Sequence, residues 1–117
     1  MSTLPGVPND VLDQKICAES LQAYLQALDS ASRQDGAWAD VAGIGVLLQS
    51  CGFSTIRQVH QAATDGWDRL CAFEKNRGAS LSSGSAVLYA LMIGSHRVRR
   101  LIATDQDRQE LAPYCGD

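Results

Sequence analysis

Three residue types that act together in nucleophilic catalysis occur in the second half of this chain, as Cys71, His60 and Glu74. In such a site a thiol attacks, an imidazole takes its proton and a carboxylate orients the imidazole. Helical periodicity places Glu74 on an apolar face, where burial would raise the pKa of a carboxyl group. An ion pair with Arg69 or Arg77 explains Glu74 equally well. Because no spacing brings the three together, a small enzyme is the less favoured alternative, and we predict no catalytic residue.

The cysteines allow a second kind of chemistry, metal binding. No Cys-x-x-Cys pair is present, and a zinc site would need distant cysteines together with His60 or His96. We therefore predict no metal and no cofactor. We expect the four thiols to stay reduced, with three of the cysteines buried as small apolar residues and the fourth on the C-terminal tail. The four cysteines are Cys17, Cys51, Cys71 and Cys115.

A glycine pair offers a third possibility, phosphate binding. The segment Ala42-Gly43-Ile44-Gly45 resembles the glycine turn of helix-hairpin-helix elements, in which backbone N–H groups at a helix start hold a phosphate. Such a turn is normally followed by basic or small polar residues, whereas Val46 and two leucines follow here. The pair is better explained by close packing inside a helix, so we do not expect nucleic acid as a partner and keep the nucleic-acid-binding module as an alternative.

The one dense basic cluster lies near the end of the last predicted helix. Cations there complement the helix dipole, but they also suit an acidic surface on another protein. We predict that Arg97, Arg99 and Arg100 contribute to partner binding, while the apolar residues of this segment face the other side of the helix. The outward residues are His96, Arg97, Arg99 and Arg100, and the inward ones are Val98, Leu101 and Ile102.

Composition and charge limit the kind of protein in which these candidate residues can act. The chain has 117 residues, of which 45% are apolar and 20% charged, as expected for one folded domain. The formal net charge of −3 argues against a partner bound through phosphate charge. The start of the chain lacks the pattern of a secretory signal, and no apolar run approaches the roughly 20 residues of a membrane-spanning helix. We expect a cytoplasmic protein with no membrane partner.

Helix start and stop signals predict an all-α fold, a single compact domain of about five helices. Gly52 should end the second helix in a left-handed conformation with Phe53 folded back on Leu48, and Thr55 with Gln58 matches a capping box. A break is expected at Asp65 and Gly66. The predicted helices span 9–32, 38–51, 55–65, 67–76 and 82–104, with a flexible arm over 1–8 and a tail over 105–117.

Two helices carry more apolar surface than one small core should need. The last helix is apolar on all sides over 87–93, and the first has a second apolar face beyond Leu12 and Ile16. Such excess surface usually marks an interface, so we predict a homodimer when the protein is free. The second face, which we predict to bind a partner, consists of Leu21, Tyr24, Leu25 and Leu28.

In size, helix content, acidity and this aliphatic and tyrosine face, the chain resembles the small QslA-like anti-activators of LuxR-type quorum-sensing regulators. The resemblance implies a non-enzymatic regulator that binds a transcription regulator and blocks its dimerisation and DNA binding. Small immunity proteins and phage inhibitors have the same general appearance. We therefore expect an interaction protein first, a nucleic-acid module second and an enzyme third.

Overall fold

The computed structural model describes residues 6–32, 40–78, 81 and 83–115. Within these ranges the chain forms α-helices and one isolated bridge between Lys15 and Thr55, with no strand, which confirms the all-α prediction. The described residues form seven α-helices rather than the five predicted, followed by a 3₁₀ turn. They are α1 Asn9–Leu12, α2 Ala18–Ser32, α3 Val41–Ser50, α4 Ile56–Arg77, α5 Ser83–Gly94, α6 His96–Ile102, α7 Asp105–Leu111 and the turn Ala112–Tyr114.

The first predicted helix is interrupted between α1 and α2. Residues 13–17 leave the helical conformation and pair with the loop before α4. The Ile16 N–H donates to the Ser54 carbonyl and the Ile56 N–H to the Gln14 carbonyl, both at 3.0 Å. The prediction of one continuous helix was wrong because partners distant in sequence satisfy these backbone groups.

α3 ends as its sequence predicts. Gly52 has φ of 95°, and its N–H donates to the Gln49 carbonyl, while the Phe53 N–H donates to the Leu48 carbonyl. These two bonds form a Schellman motif, which glycine permits because it has no Cβ. The helix begins one residue after Asp40, whose carboxylate accepts the Gly43 N–H at 2.9 Å. The predicted start at Trp38 lies outside the described residues.

α4 runs through Gly66 without a break, so the predicted third and fourth helices are one helix of 22 residues. The predicted capping box of Thr55 and Gln58 is confirmed at its start, and Gly78 ends it in the left-handed conformation. Gly66 does not form the predicted turn; it lies inside α4 at the point where this helix crosses α5. It faces Gly94 and Ala90 of α5, and a Cβ at Gly66 would lie 2.8 Å from the Gly94 nitrogen. The absence of side chains lets the two helix backbones approach closely.

α5 is buried over most of its apolar segment, as its sequence predicts, with Leu88 and Tyr89 half-buried. The helix does not continue to residue 104, because Ser95 adopts an extended conformation and accepts the Val98 N–H, which starts α6. The Arg99 guanidinium donates to the Met92 carbonyl at 2.7 Å and so satisfies one of the last carbonyl groups of α5. The buried residues of α5 are Ala86, Val87, Ala90, Leu91, Met92 and Ile93.

The predicted C-terminal tail is folded instead. Thr104 and Asp107 form a capping box that starts α7, and Leu111 is fully buried. Tyr114 packs edge to face on Phe73 of α4, with ring centroids 5.5 Å apart. The prediction of a loose tail was wrong because these contacts anchor the last described residues to the body of the protein.

The radius of gyration of 13.1 Å is close to the value of about 13 Å expected for one domain of this length. The apolar faces of α2 and α5 that motivate the predicted homodimer pack against the core of one chain, with Leu88 and Tyr89 of α5 half-buried. They therefore give no further reason for a second copy, and the oligomeric state stays a prediction. Within the described ranges, no helix is both long enough and apolar enough to cross a membrane.

Candidate functional site

The three residues considered for catalysis do not form a site. His60, Cys71 and Glu74 all belong to α4, and His60 is 11 positions from Cys71, about 16 Å along a helix axis. Glu74 accepts the Leu81 N–H at 3.0 Å, a structural contact that differs from the predicted ion pairs. The structure therefore assigns no shared chemistry to these side chains.

His60 has a structural partner in the core. Its Nδ1 lies 2.9 Å from the Tyr24 hydroxyl, and the two rings pack edge to face. Burial, and then the nearby Arg57 guanidinium, lower the pKa of His60, while burial raises the pKa of the Tyr24 hydroxyl. Both effects favour the neutral pair, which joins α2 to α4.

The second face of the first predicted helix is the core side of α2 and is not exposed. Its side chains are at most 2% exposed, and they pack among the other core residues. The expectation that this face presents anchors at the surface was wrong, because helical periodicity identifies an apolar face but does not show what covers it. The residues concerned are Leu21, Tyr24, Leu25 and Leu28.

The arginines of the basic cluster have different environments. Arg99 is half-buried against α5, whereas Arg97 and Arg100 are exposed. The Arg97 guanidinium lies 3.4 Å from the Cys51 carbonyl at the end of α3, where a cation complements the helix dipole. Only two of the three predicted binding arginines are therefore presented on the surface.

An exposed depression lies between the end of α3 and the outer side of α6. It has a volume of about 300 Å³, and Leu101 at its edge is 52% exposed rather than inward as predicted. Val46 is 62% exposed and lies one helical turn before Ser50 on α3. The Ser50 hydroxyl donates a hydrogen bond to the Val46 carbonyl. We use the name α3–α6 surface for the residues that line this depression together with Val46. The depression is lined by Ser50, Cys51, Gly52, Arg97, Arg100 and Leu101.

The glycine pair considered for phosphate binding lies inside α3. Gly43 is its third residue, and its N–H is already bonded to the Asp40 carboxylate. Gly45 is buried, and a Cβ there would lie 3.3 Å from Leu21 of α2. The arrangement favours close helix packing over the helix-hairpin-helix alternative, because a carboxylate occupies the position that a phosphate would need.

A larger cleft, which the sequence did not predict, is formed by the end of α4, the middle of α5 and the α7 region. Its volume is about 660 Å³. The Phe73 ring packs edge to face on Tyr89 at 5.7 Å and on Tyr114 at 5.5 Å, with interplanar angles of 70° and 82°. We call it the aromatic cleft. Its principal lining residues are Phe73, Arg77, Tyr89, Asp107, Glu110 and Tyr114.

Hydrogen bonds hold the two tyrosine rings of the aromatic cleft in place. The Asn76 side chain donates to the Tyr114 hydroxyl at 2.7 Å, and the Tyr89 hydroxyl donates to an Asp107 carboxylate oxygen at 3.4 Å. Burial raises the pKa of Tyr89, and the Asp107 and Glu110 carboxylates raise it further. The acidic residues outweigh the opposing effect of Arg77, so the local environment disfavours additional negative charge.

One local signal could have revealed part of this cleft. Thr104-x-x-Asp107 is a hydroxyl followed three residues later by an acidic side chain, the pattern that starts a helix. Together with Leu111 it predicts an anchored helix where a tail was expected. Nothing local indicates that Phe73, Tyr89 and Tyr114 meet, since they belong to three different elements.

The cysteines differ from the predicted three buried thiols and one tail thiol. Cys51 is buried, Cys71 and Cys115 are half-buried, and Cys17 is exposed. No group of three His, Cys, Asp or Glu side chains in the described part of the chain is placed to hold a metal ion.

Cys17 should be the first cysteine to react with iodoacetamide. It precedes α2, and its sulfur lies 3.4 Å from both the Ser20 hydroxyl and the Ser20 backbone nitrogen. These hydrogen bonds lower the pKa of the exposed thiol and so raise its thiolate fraction near neutral pH. Mass spectrometry after brief labelling should find the label at Cys17, whereas in urea the four sites should react at similar rates. Earlier labelling of Cys71 or Cys115 in the folded protein would contradict this assignment.

Fold and surface together define a class: a small all-helical protein with an exposed basic and apolar surface and a separate aromatic cleft. Comparison of the chain with protein-family models, curated proteins and solved structures gives no match.

Proposed function

We propose that this protein is a non-enzymatic regulator that acts by binding another protein through the α3–α6 surface. The observation that carries the proposal is the combination, at one place, of exposed apolar and basic side chains. Val46 and Leu101 are the exposed large apolar residues of the described chain, and Arg97 and Arg100 flank Leu101.

Charge indicates what kind of partner this surface suits. The whole chain carries a net charge of −3, yet the depression is lined by two arginines and no acidic residue. An acidic partner would be guided to this surface by charge complementarity, while Leu101 and Val46 would supply apolar contact area. The proposed partner is therefore a protein that presents acidic residues around an apolar anchor.

The resemblance to anti-activators supplies one partner class, a transcription regulator of the LuxR type. In that form of the proposal, binding covers the regulator's dimerisation surface and prevents its assembly on DNA. The face of α2 that carried the resemblance is buried, so the α3–α6 surface takes its place as the proposed contact. The mechanism is steric and needs no chemical step.

The proposal is tested by affinity capture from the native cell extract with matched surface variants. Arg100→Glu reverses a charge and Leu101→Ser removes an apolar anchor, and neither side chain is buried. We expect each variant to bind the captured partner at least about tenfold more weakly, the size of a typical interface hot spot. Lys75→Glu, at an exposed position of α4 outside this surface, is the charge-matched control and should bind normally.

Equal capture by Arg100→Glu, Leu101→Ser and the unmodified protein would overturn the proposed surface. If the captured protein binds DNA, a gel-shift assay tests the finer proposal. The unmodified protein should then dissociate the regulator from its operator, while Leu101→Ser should not. A regulator that stays on DNA in the presence of saturating protein would exclude the anti-activator mechanism.

A further inference from the structure

The aromatic cleft has the volume of a small-molecule site and is distinct in its residues from the α3–α6 surface. About 660 Å³ falls within the usual range of roughly 300 to 1,000 Å³ for ligand pockets. Its walls combine aromatic rings with charged groups contributed by α4 and α7. Three aromatic rings share this lining with the polar side chains of Asn76, Arg77, Gln106, Asp107 and Glu110, so one ligand could contact rings and charged groups together.

The ring geometry of this cleft suits a cation. Phe73 lies between Tyr89 and Tyr114, and the two interplanar angles are close to perpendicular. Rings at such angles can form neighbouring walls of a cage, and the face of an aromatic ring attracts positive charge. The hydrogen bonds from Asn76 to Tyr114 and from Tyr89 to Asp107 fix the rings before a ligand arrives.

The charges of the cleft favour the same conclusion. Asp107 and Glu110 contribute two carboxylates against the single guanidinium of Arg77. These carboxylates already accept hydrogen bonds: Asp107 from Tyr89 and the Thr104 N–H, and Glu110 from Gln106. Each carboxylate retains further lone pairs, so the charge of the cleft attracts cations in general. The aromatic rings favour a cation whose charge is spread over methyl groups, which can contact ring faces.

We propose that the aromatic cleft binds a quaternary ammonium group. In the bound state the methyl groups contact the rings of Tyr89 and Tyr114, and the positive charge lies near Asp107 and Glu110. The group belongs either to a free small molecule or to a trimethylated lysine of another chain, since the two share the same chemistry. The proposal does not depend on the function proposed for the α3–α6 surface.

Choline is the direct probe, because its carbon isostere 3,3-dimethylbutan-1-ol has nearly the same shape and no charge. Isothermal titration and amide chemical shifts of α7 should detect choline binding to the full chain, with the neutral alcohol at least about tenfold weaker. N-acetyl-trimethyl-lysine amide distinguishes the sources: tighter binding than choline assigns a modified lysine, and weaker binding a free small molecule.

Three variants test whether the cleft is responsible. Glu110→Gln removes a charge and should weaken choline binding severalfold, and Tyr114→Leu removes a ring and should weaken it about tenfold. Tyr114→Phe keeps the ring and should bind nearly as tightly as the unmodified protein. Circular dichroism establishes that each variant is folded.

Three results would overturn the proposal. They are equal affinity for choline and the neutral alcohol, undiminished choline binding by folded Glu110→Gln and Tyr114→Leu, and no choline binding at millimolar concentration. Equal partner capture by Arg100→Glu, Leu101→Ser and the unmodified protein, with choline binding retained, would refute only the proposed function.

Discussion

Replacing Gly66 with alanine should lower the free energy of unfolding by about 3 kcal/mol or more, because the new methyl group would collide with backbone. The Cβ would overlap the Ala90 carbonyl oxygen and lie 2.8 Å from the Gly94 nitrogen, and neither atom can move without displacing α5. Alanine improves helix propensity over glycine by only about 1 kcal/mol. Because the steric cost exceeds this gain in helix propensity, Gly66→Ala should lower the free energy of unfolding and not raise it.

Thermal unfolding measures this difference directly. In a protein of this size, about 3 kcal/mol corresponds to a loss of about 10 °C or more in Tm. Gly94→Ala should behave similarly, since its Cβ would meet the Ala62 carbonyl and the Gly66 nitrogen of α4. Gly45→Ala is the matched helical control, because its Cβ would meet side-chain atoms and no backbone: the end of the flexible Leu21 side chain at 3.3 Å and an Ile16 methyl group at 3.9 Å. If Gly66→Ala melts at or above the temperature of the unmodified protein, α4 and α5 do not pack at this point.

Replacing Tyr24 with alanine should destabilise the protein by about 3 to 5 kcal/mol, as expected for truncating a large buried aromatic side chain. Tyr24 has no exposed surface, and its removal would leave a cavity between α2 and α4 beside His60. The effect should appear as a lower urea midpoint and a lower Tm. This outcome is opposite to that expected of an exposed binding anchor, which would lower affinity and leave stability unchanged.

Tyr24→Phe separates packing from hydrogen bonding. It keeps the ring and removes only the hydroxyl that lies 2.9 Å from His60 Nδ1, so we expect a loss of about 1 kcal/mol. A Tyr24→Ala protein with unchanged unfolding and weakened partner binding would restore α2 as the interface and contradict the core position described above. Comparable losses in both variants would assign the stabilisation to the hydroxyl instead of the ring.

Features set by neighbouring residues could be predicted from the sequence. The Schellman motif at Gly52 and the capping box of Thr55 and Gln58 depend on groups within one or two turns, and both are present as predicted. The all-α class follows from the same kind of signal, together with helical periodicity. The apolar character of α5 also indicated correctly that most of its apolar segment is buried.

The candidate sites were less accessible to sequence reasoning. Arg97, Arg100 and the aliphatic face of α2 were recognised as notable, yet only the arginines are on the surface. Periodicity identifies an apolar face but not the element that covers it, and α2 packs against α1, α3, α4 and α5. Leu101 was assigned to the inner side of its helix with Val98 and Ile102, yet it is 52% exposed, because periodicity groups residues on one side of a helix without showing where the neighbouring elements stop covering that side.

By itself the sequence determined the helical class and the helix ends that local hydrogen bonds define, since those bonds join residues a few positions apart. Tertiary structure alone decided that the chain breaks at 13–17, that Gly66 is a helix crossing rather than a turn, and that Phe73, Tyr89 and Tyr114 share one cleft. Each of these outcomes depends on contacts between segments tens of residues apart. Their free energy comes from burial and close packing, which exist only after the elements have assembled.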